Sequence, residues 1–216
     1  MKTITKINIS VAAAVLLAVA GVIAFTTSQS APATDSPAAA SSTLASNTHR
    51  LDVAADGKVT LVEFLDFECE ACGAVYPYIE QLRAEYAGQV TFATRYFPLP
   101  GHRNSENAAV AVEAAAKQDQ FEAMYDKMFQ TQATWGESQD SKAELFRTFA
   151  EEIGLELEQY DADVADPATL ARVQSDFTAG RELGVEGTPT IFVNDEVIEL
   201  QNLEDIKAAL DAALDS

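Results

Sequence analysis

Cys69 and Cys72 are the only cysteines in this 216-residue chain, and only Glu70 and Ala71 separate them. Such a pair can exchange thiols with disulfides, supply half of a metal site, or close a small structural loop. Zinc would need two further ligands, and His102 is the only candidate histidine in the part expected to fold. A disulfide between residues three apart closes too short a loop to stabilise much, and a secreted disulfide scaffold would need several pairs. Redox chemistry has a positive argument as well. The residues before Cys69 read as a buried strand and those after it as a helix, which sets Cys69 beside free N–H groups at the helix's positive end. That setting favours thiolate, the attacking species in disulfide exchange. Cys69 is expected to attack, and Cys72, one turn later and more buried, to resolve the mixed disulfide.

The elements that must hold this pair follow from periodicity. Residues 58–67 carry Val59, Leu61, Val62, Phe64, Leu65 and Phe67, a run too continuously apolar for a half-exposed strand, so a central strand is expected. A helix from about Cys72 to Tyr86 follows, with Val75, Ile79, Leu82 and Tyr86 on one face and Pro77 inside it. A second strand is expected over Gln89–Phe97, broken by Pro98-Leu99-Pro100-Gly101. From Ser105 to Leu183 the pattern is helical: Phe121, Met124, Tyr125, Met128 and Phe129 form one stripe, and Leu145, Phe149 and Ile153 another. The latter helix is expected to start at a capping box of Ser141 and Glu144. Pro167 opens a helix with Leu170, Val173 and Phe177. Strands return at Thr190–Val193 and Val197–Leu200 around Asn194-Asp195-Glu196, before a final helix with Leu203, Ile206, Leu210 and Leu214 inward.

Three separated motifs now stand in order: Val62-Glu63-Phe64-Leu65-Asp66-Phe67-Glu68-Cys69-Glu70-Ala71-Cys72, then Pro77, then Gly187-Thr188-Pro189-Thr190 before a hairpin. Together they resemble the thioredoxin superfamily over about residues 51–216. The helical block between the second strand and Thr188-Pro189 resembles the insertion of its DsbA-like branch. The resemblance implies an α/β thioredoxin-like fold, with a mixed central sheet flanked by helices and a helical insertion at about 102–183. It also implies a cis Thr188-Pro189 bond, with Thr188 and Pro189 placed beside the cysteines to bind an extended substrate segment. Glu63 matches the family's buried acid beneath the disulfide, which relays a proton from Cys72 through water. Burial in an apolar strand would raise its pKa and suit it to that task. The intervening Glu70 and Ala71 are the redox-tuning positions.

Relatives often carry proline, histidine or aromatic residues around the cysteines, whereas here Glu68 and Glu70 flank Cys69. Like charge disfavours the thiolate, so a raised Cys69 pKa and a milder oxidant are expected. His102, after the proline turn, either lies near the active site or is an exposed loop residue. Trp135-Gly136 is expected to be a packed anchor in the helical block, and His49 a residue of the tether without a role.

Composition bounds the rest. Of 34 acidic and 14 basic side chains, Asp35 and Lys2, Lys6 and Arg50 fall in the first fifty residues, leaving 33 acidic against 11 basic. Such a surface repels phosphate backbones, so no nucleic-acid partner is expected. Lys2 and Lys6 precede an apolar run, Ile7–Phe25, which is long enough at about 1.5 Å per residue to span a bilayer. Residues 1–25 are read as a signal anchor, or else as a cleaved signal peptide, and in either case the rest is exported. Residues 26–50, rich in Ala, Ser, Thr and Pro, are read as a flexible tether. The expected function is disulfide exchange, in the forming direction, in exported proteins with cysteines. A second redox protein would recycle the pair, the N-terminal segment would attach it to the cell membrane, and no cofactor or metal is required. A monomer is expected, because isomerases of this kind commonly carry a dimerisation domain and none is visible. Reduction or isomerisation by the same site, and a tethered metal-binding or non-catalytic module, are the alternatives.

Overall fold

The computed structural model describes residues 42–216, so the expected signal anchor and most of the expected tether lie outside the described residues. Among the described residues no helix is long and apolar enough to cross a membrane.

The sheet has the strand order β1 (His49–Asp52), β3 (Val90–Tyr96), β2 (Val59–Leu65), β4 (Thr190–Val193), β5 (Glu196–Val197). Strand β2 (Val59–Leu65) is its centre, parallel to β3 (Val90–Tyr96) and antiparallel to β4 (Thr190–Val193). A strand flanked on both sides and covered on both faces has to be apolar throughout, which accounts for the unbroken hydrophobic run. On one face Val59 and Leu61 pack with Val75, Ile79 and Leu82 of α1 (Glu70–Glu85) and with Ile206 and Leu210 of α7 (Glu204–Leu214). On the other, Val62 and Phe64 meet Ala93, Phe97 and Phe192. The mixed α/β sheet flanked by helices is the architecture expected.

Between β3 and β4 run α2 (Ser105–Ala116), α3 (Phe121–Thr131), a short 3-10 turn (Gln132–Thr134), α4 (Ala143–Glu152), α5 (Leu157–Ala165) and α6 (Pro167–Glu182). This is the helical insertion, and its Met124, Tyr125, Met128, Trp135, Phe146 and Phe149 share one core with Leu65, Phe67 and Tyr96 of the sheet side and with both cysteines. Asp166 caps α6 by accepting the Ala168 N–H at 2.9 Å, just before Pro167.

Several boundaries differ from the sequence reading. Helix α1 begins at Glu70 rather than Cys72, so Cys69 itself is its N-cap. The Ser141–Glu144 capping box does not form: α4 starts one residue later, its N-cap is Lys142, and the Lys142 N–H is taken by Asn104 Oδ1 at 2.8 Å. The last strand shrinks to β5 (Glu196–Val197), because Asn194 and Asp195 alone make the turn, at φ of 49° and 66°. Beyond that pair the Ile198 N–H continues the ladder, to Ile191 O at 2.8 Å, and among the described residues no strand pairs with the outer edge of β5. In α7 only Ile206 and Leu210 are buried, while Leu203 and Leu214 lie at the helix ends and remain 39% and 37% exposed.

The folded part also starts before residue 51. Thr43 and Thr48 are buried, Thr43 Oγ1 is hydrogen-bonded to the Asp195 carboxylate, and His49–Asp52 forms β1, antiparallel to β3. His49 therefore belongs to the sheet: its ring stacks on Phe121 at 4.1 Å, and Nε2 lies 2.6 Å from Glu113 Oε2.

Candidate active site

Strand β2 ends at Leu65, and a tight turn, with Cys69 N–H donating to Asp66 O at 3.1 Å, passes the chain into α1. Cys69 has extended backbone angles (φ −68°, ψ 119°) and opens the helix, whose first bond runs from Gly73 N–H to Cys69 O at 3.1 Å. Both cysteines are free thiols. They differ in access: Cys69 keeps 8% of its surface and Cys72 none. Thr188-Pro189 is a cis bond, and Cys69 Sγ lies 3.4 Å from the Thr188 carbonyl oxygen. Residues 119 apart in sequence thus form one rim.

Electrostatics separate the two sulfurs further. A hydrogen bond from the Cys72 thiol pulls the Cys69 pKa down to about 5, against its burial, with help from Thr188 and from the backbone N–H groups of Cys72 and Ala71. Burial pushes the Cys72 thiol well above its ordinary range; its hydrogen bond to Cys69 and the charge of Glu63 act the same way. Glu63 lies two residues after Leu61 on β2 and shares its face, so it points to the α1 side, where it interacts with both cysteines. Burial, with the charges of Cys69 and Glu80 adding to it, raises Glu63 to about 8, so at neutral pH it holds a proton.

The acidic flank does not act as its sequence position suggested. Glu68 is 1% exposed and turns away from Cys69, its Oε2 accepting the Asn104 N–H at 2.5 Å at the positive end of α2. Glu70 and Ala71 are exposed on the first turn of α1. Neither acidic side chain is among the principal influences on Cys69, whose pKa is lowered rather than raised. The flanking charges therefore do not weaken the Cys69 thiolate as expected.

Two residues that the sequence did not assign hold the turn. The buried Asp66 carboxylate accepts Glu68 N–H at 2.8 Å through Oδ1, and through Oδ2 accepts Leu99 N–H at 3.0 Å while lying 2.6 Å from His102 Nδ1. It ties the Cys69 turn to the proline turn. Burial opposes charge on His102, but the hydrogen bond and charge of Asp66, joined by the charges of Cys69 and Glu68, raise its pKa. His102 is thus within electrostatic reach of the site. Gln132, from the helical insertion, donates to the carbonyls of Phe67 and Cys69. A carboxylate at the end of a buried apolar strand was a signal for Asp66; the pattern around Gln132 carries none. Among the described residues no group of three or more His, Cys, Asp or Glu gathers as for a metal ion.

The family model described as Thioredoxin matches residues 54–212. The chain belongs to the thioredoxin family. Its fold is similar to that of three solved structures. BdbD from Bacillus subtilis in its oxidised form is 24% identical with a TM-score of 0.66, covering 76% of this chain and 92% of that one. A thioredoxin-like oxidoreductase from Silicibacter pomeroyi DSS-3 is 26% identical with a TM-score of 0.65, covering 80% and 95%. The oxidoreductase DsbA from Xylella fastidiosa is 20% identical with a TM-score of 0.62, covering 74% and 86%. With the family match, these structures share the thioredoxin-like fold with its helical insertion. Among curated proteins, the Na(+)/H(+) antiporter NhaA of Herminiimonas arsenicoxydans is 35% identical over 138 residues, 64% of this chain and 21% of that protein. This thioredoxin-family chain spans about a fifth of the length of the curated relatives it matches, and the antiport in their names is said of those longer proteins.

Proposed function

We propose that the chain catalyses disulfide formation in exported proteins, with Cys69 as the nucleophile and Cys72 as the resolving thiol. The observation that carries this is the placement of Cys69: partly accessible, at the start of α1, against Thr188 and directly above a fully buried partner thiol. In the oxidising direction, a substrate thiolate attacks Cys69 Sγ of the Cys69–Cys72 disulfide. A mixed disulfide forms, and the Cys72 thiolate leaves and takes a proton from Glu63. The second substrate thiol, losing its proton to solvent, attacks the substrate sulfur and releases the Cys69 thiolate. The substrate dithiol is oxidised by two electrons and the enzyme disulfide reduced by two. Thr188 and Pro189 line the substrate segment. Ala71 tunes the pair through its N–H, and Glu70 acts only weakly from its exposed position.

The direction rests on Cys69. A thiolate stabilised down to about 5 stabilises the dithiol form, which makes the disulfide form a good electron acceptor. A second redox protein then returns the pair to the disulfide. The basic, long apolar N-terminal pattern supports work outside the cytoplasm, attached to the membrane or released after cleavage.

The test is the reduction potential of the Cys69–Cys72 pair in the full chain, by equilibration with glutathione and thiol counting. A value near or above ~−180 mV is expected, and one near the ~−270 mV of thioredoxin would assign the reducing direction instead.

A further inference from the structure

We propose that Gln132, supplied by the helical insertion, is a positioning residue for the Cys69 nucleophile, and that residue 73 is glycine in order to admit it. The inference rests on the reading of Cys69 as the attacking thiol.

The side-chain amide of Gln132 donates from Nε2 to Phe67 O and to Cys69 O, each at 2.8 Å. One NH2 group thus satisfies two carbonyls on either side of Glu68, in a turn that has left the β2 ladder and not yet entered the helix. Without it these acceptors would lose a partner each in a partly buried place. The post that carries the amide is itself fixed. The Gln132 carbonyl accepts Trp135 N–H at 3.0 Å and Gly136 N–H at 2.8 Å. Trp135 is 1% exposed, donates Nε1–H to Met128 O at 3.3 Å, and meets Phe146 edge-on. Trp135-Gly136, the anchor expected from sequence, therefore anchors Gln132.

The consequence for chemistry lies in the first turn of α1. The N–H groups that favour the Cys69 thiolate, those of Cys72 and Ala71, are aimed at the sulfur only while the Cys69 peptide keeps its extended angles. The Cys69 carbonyl is held from two sides, by Gly73 N–H within the helix and by Gln132 from outside it. Loss of the outside bond frees the N-cap to turn.

Gly73 supplies the second, independent observation. A Cβ placed there would lie 2.0 Å from Gln132 Oε1, 2.8 Å from its Cδ and 3.1 Å from its Nε2. Its three nearest neighbours are thus all atoms of the Gln132 amide. A methyl at position 73 evicts the amide and leaves the helix backbone in place, and alanine is the better helix former by about 1 kcal/mol. Gly73→Ala therefore breaks the same contact from the opposite side without threatening the fold.

The experiment is a double-mutant cycle on the reduced full-length chain: Gln132→Ala, Gly73→Ala and both together, with the thiolate absorbance titrated against pH. Each single variant is expected to move the Cys69 midpoint upward by about one pH unit, and the pair no further than either alone. Gln132→Glu, which keeps the length but as a carboxylate cannot donate and adds negative charge near Cys69, is expected to raise the midpoint at least as far as Gln132→Ala. A purely structural contact would change the melting temperature and leave the midpoint where it was. Unchanged midpoints in both single variants, additive shifts in the double, or a wild-type midpoint in Gln132→Glu would each overturn the proposal. Cys69→Ser, assayed in parallel for exchange with oxidised glutathione, keeps the two readings apart: retained exchange there would remove the nucleophile assignment, whatever the cycle gives.

Discussion

The rim of the site and its floor hold the same functional group in opposite settings. At the rim, Cys69 lies against Thr188 at a helix start and is drawn down to about 5. At the floor, Cys72 and Glu63 are sealed from water, and burial drives both upward, Glu63 to about 8. One helical turn separates the two thiols, so residue type and spacing do not distinguish them. Access to hydrogen-bond donors and to solvent does. The difference also separates charge from protons: charge is kept at the partly open rim and protons at the closed floor.

Rim and floor should differ most visibly when the sulfurs are removed one at a time. Cys69→Ser should abolish exchange, whereas Cys72→Ser should still attack and then stall as a stable mixed disulfide. Mass spectrometry after incubation with a disulfide-containing peptide checks this; equal behaviour of the two variants would erase the distinction.

Removing the proton from the floor comes next. Glu63→Gln should slow release of Cys72 by about 100-fold, the low end of general acid–base effects. It should also stabilise the fold in a pH-dependent way. An acid whose folded pKa is raised costs nothing below its ordinary value of 4.5, where both states are protonated. The cost then grows at up to about 1.4 kcal/mol per pH unit until its folded value of about 8. The variant's advantage in denaturant unfolding should widen over that window and stop widening above it.

At the rim the sign is reversed. A thiol whose folded pKa is depressed stabilises the reduced protein fully above its ordinary value of 9, and the gain is lost as pH falls through about 5. The reduction potential should therefore fall by roughly 59 mV per pH unit below pH 5, where two protons accompany two electrons, and by roughly 30 mV per unit from pH 6 to 7.5. A single slope across that range would put the thiolate elsewhere. The smallest effect is expected at His102, whose charge interacts favourably with Cys69 from beside Asp66. His102→Gln should raise the Cys69 midpoint by less than about one unit, because the imidazole is partly exposed and screened.

Much of this could be read from sequence, for identifiable reasons. The unbroken apolar run of β2 and the stripe of Val75, Ile79 and Leu82 in α1 follow directly from two-sided and one-sided burial, and they locate the cysteines at a strand-to-helix junction. The pairing of Cys69 with Thr188 came only through family resemblance, since nothing local links residues so far apart. Strand β1 was missed because His49-Arg50-Leu51-Asp52 has neither an apolar run nor a strict alternation; an edge strand needs only backbone pairing and a few contacts such as His49 on Phe121. The effect of Glu68 was misjudged because sequence adjacency to Cys69 says nothing about direction, and its carboxylate is spent on the start of α2. Gln132 left no trace, since a single amide reaching two carbonyls of another element creates no period.

In the proposed mechanism Cys69 carries the reactive thiolate and Cys72 does not. The most direct measurement is the pH dependence of alkylation by iodoacetamide in the reduced full-length chain, quantified separately for each cysteine by peptide mass spectrometry. Cys69 is expected to react with a midpoint near 5 and Cys72 to stay unmodified through pH 9. A Cys69 midpoint in the ordinary thiol range, or alkylation of Cys72 ahead of it, would overturn that assignment.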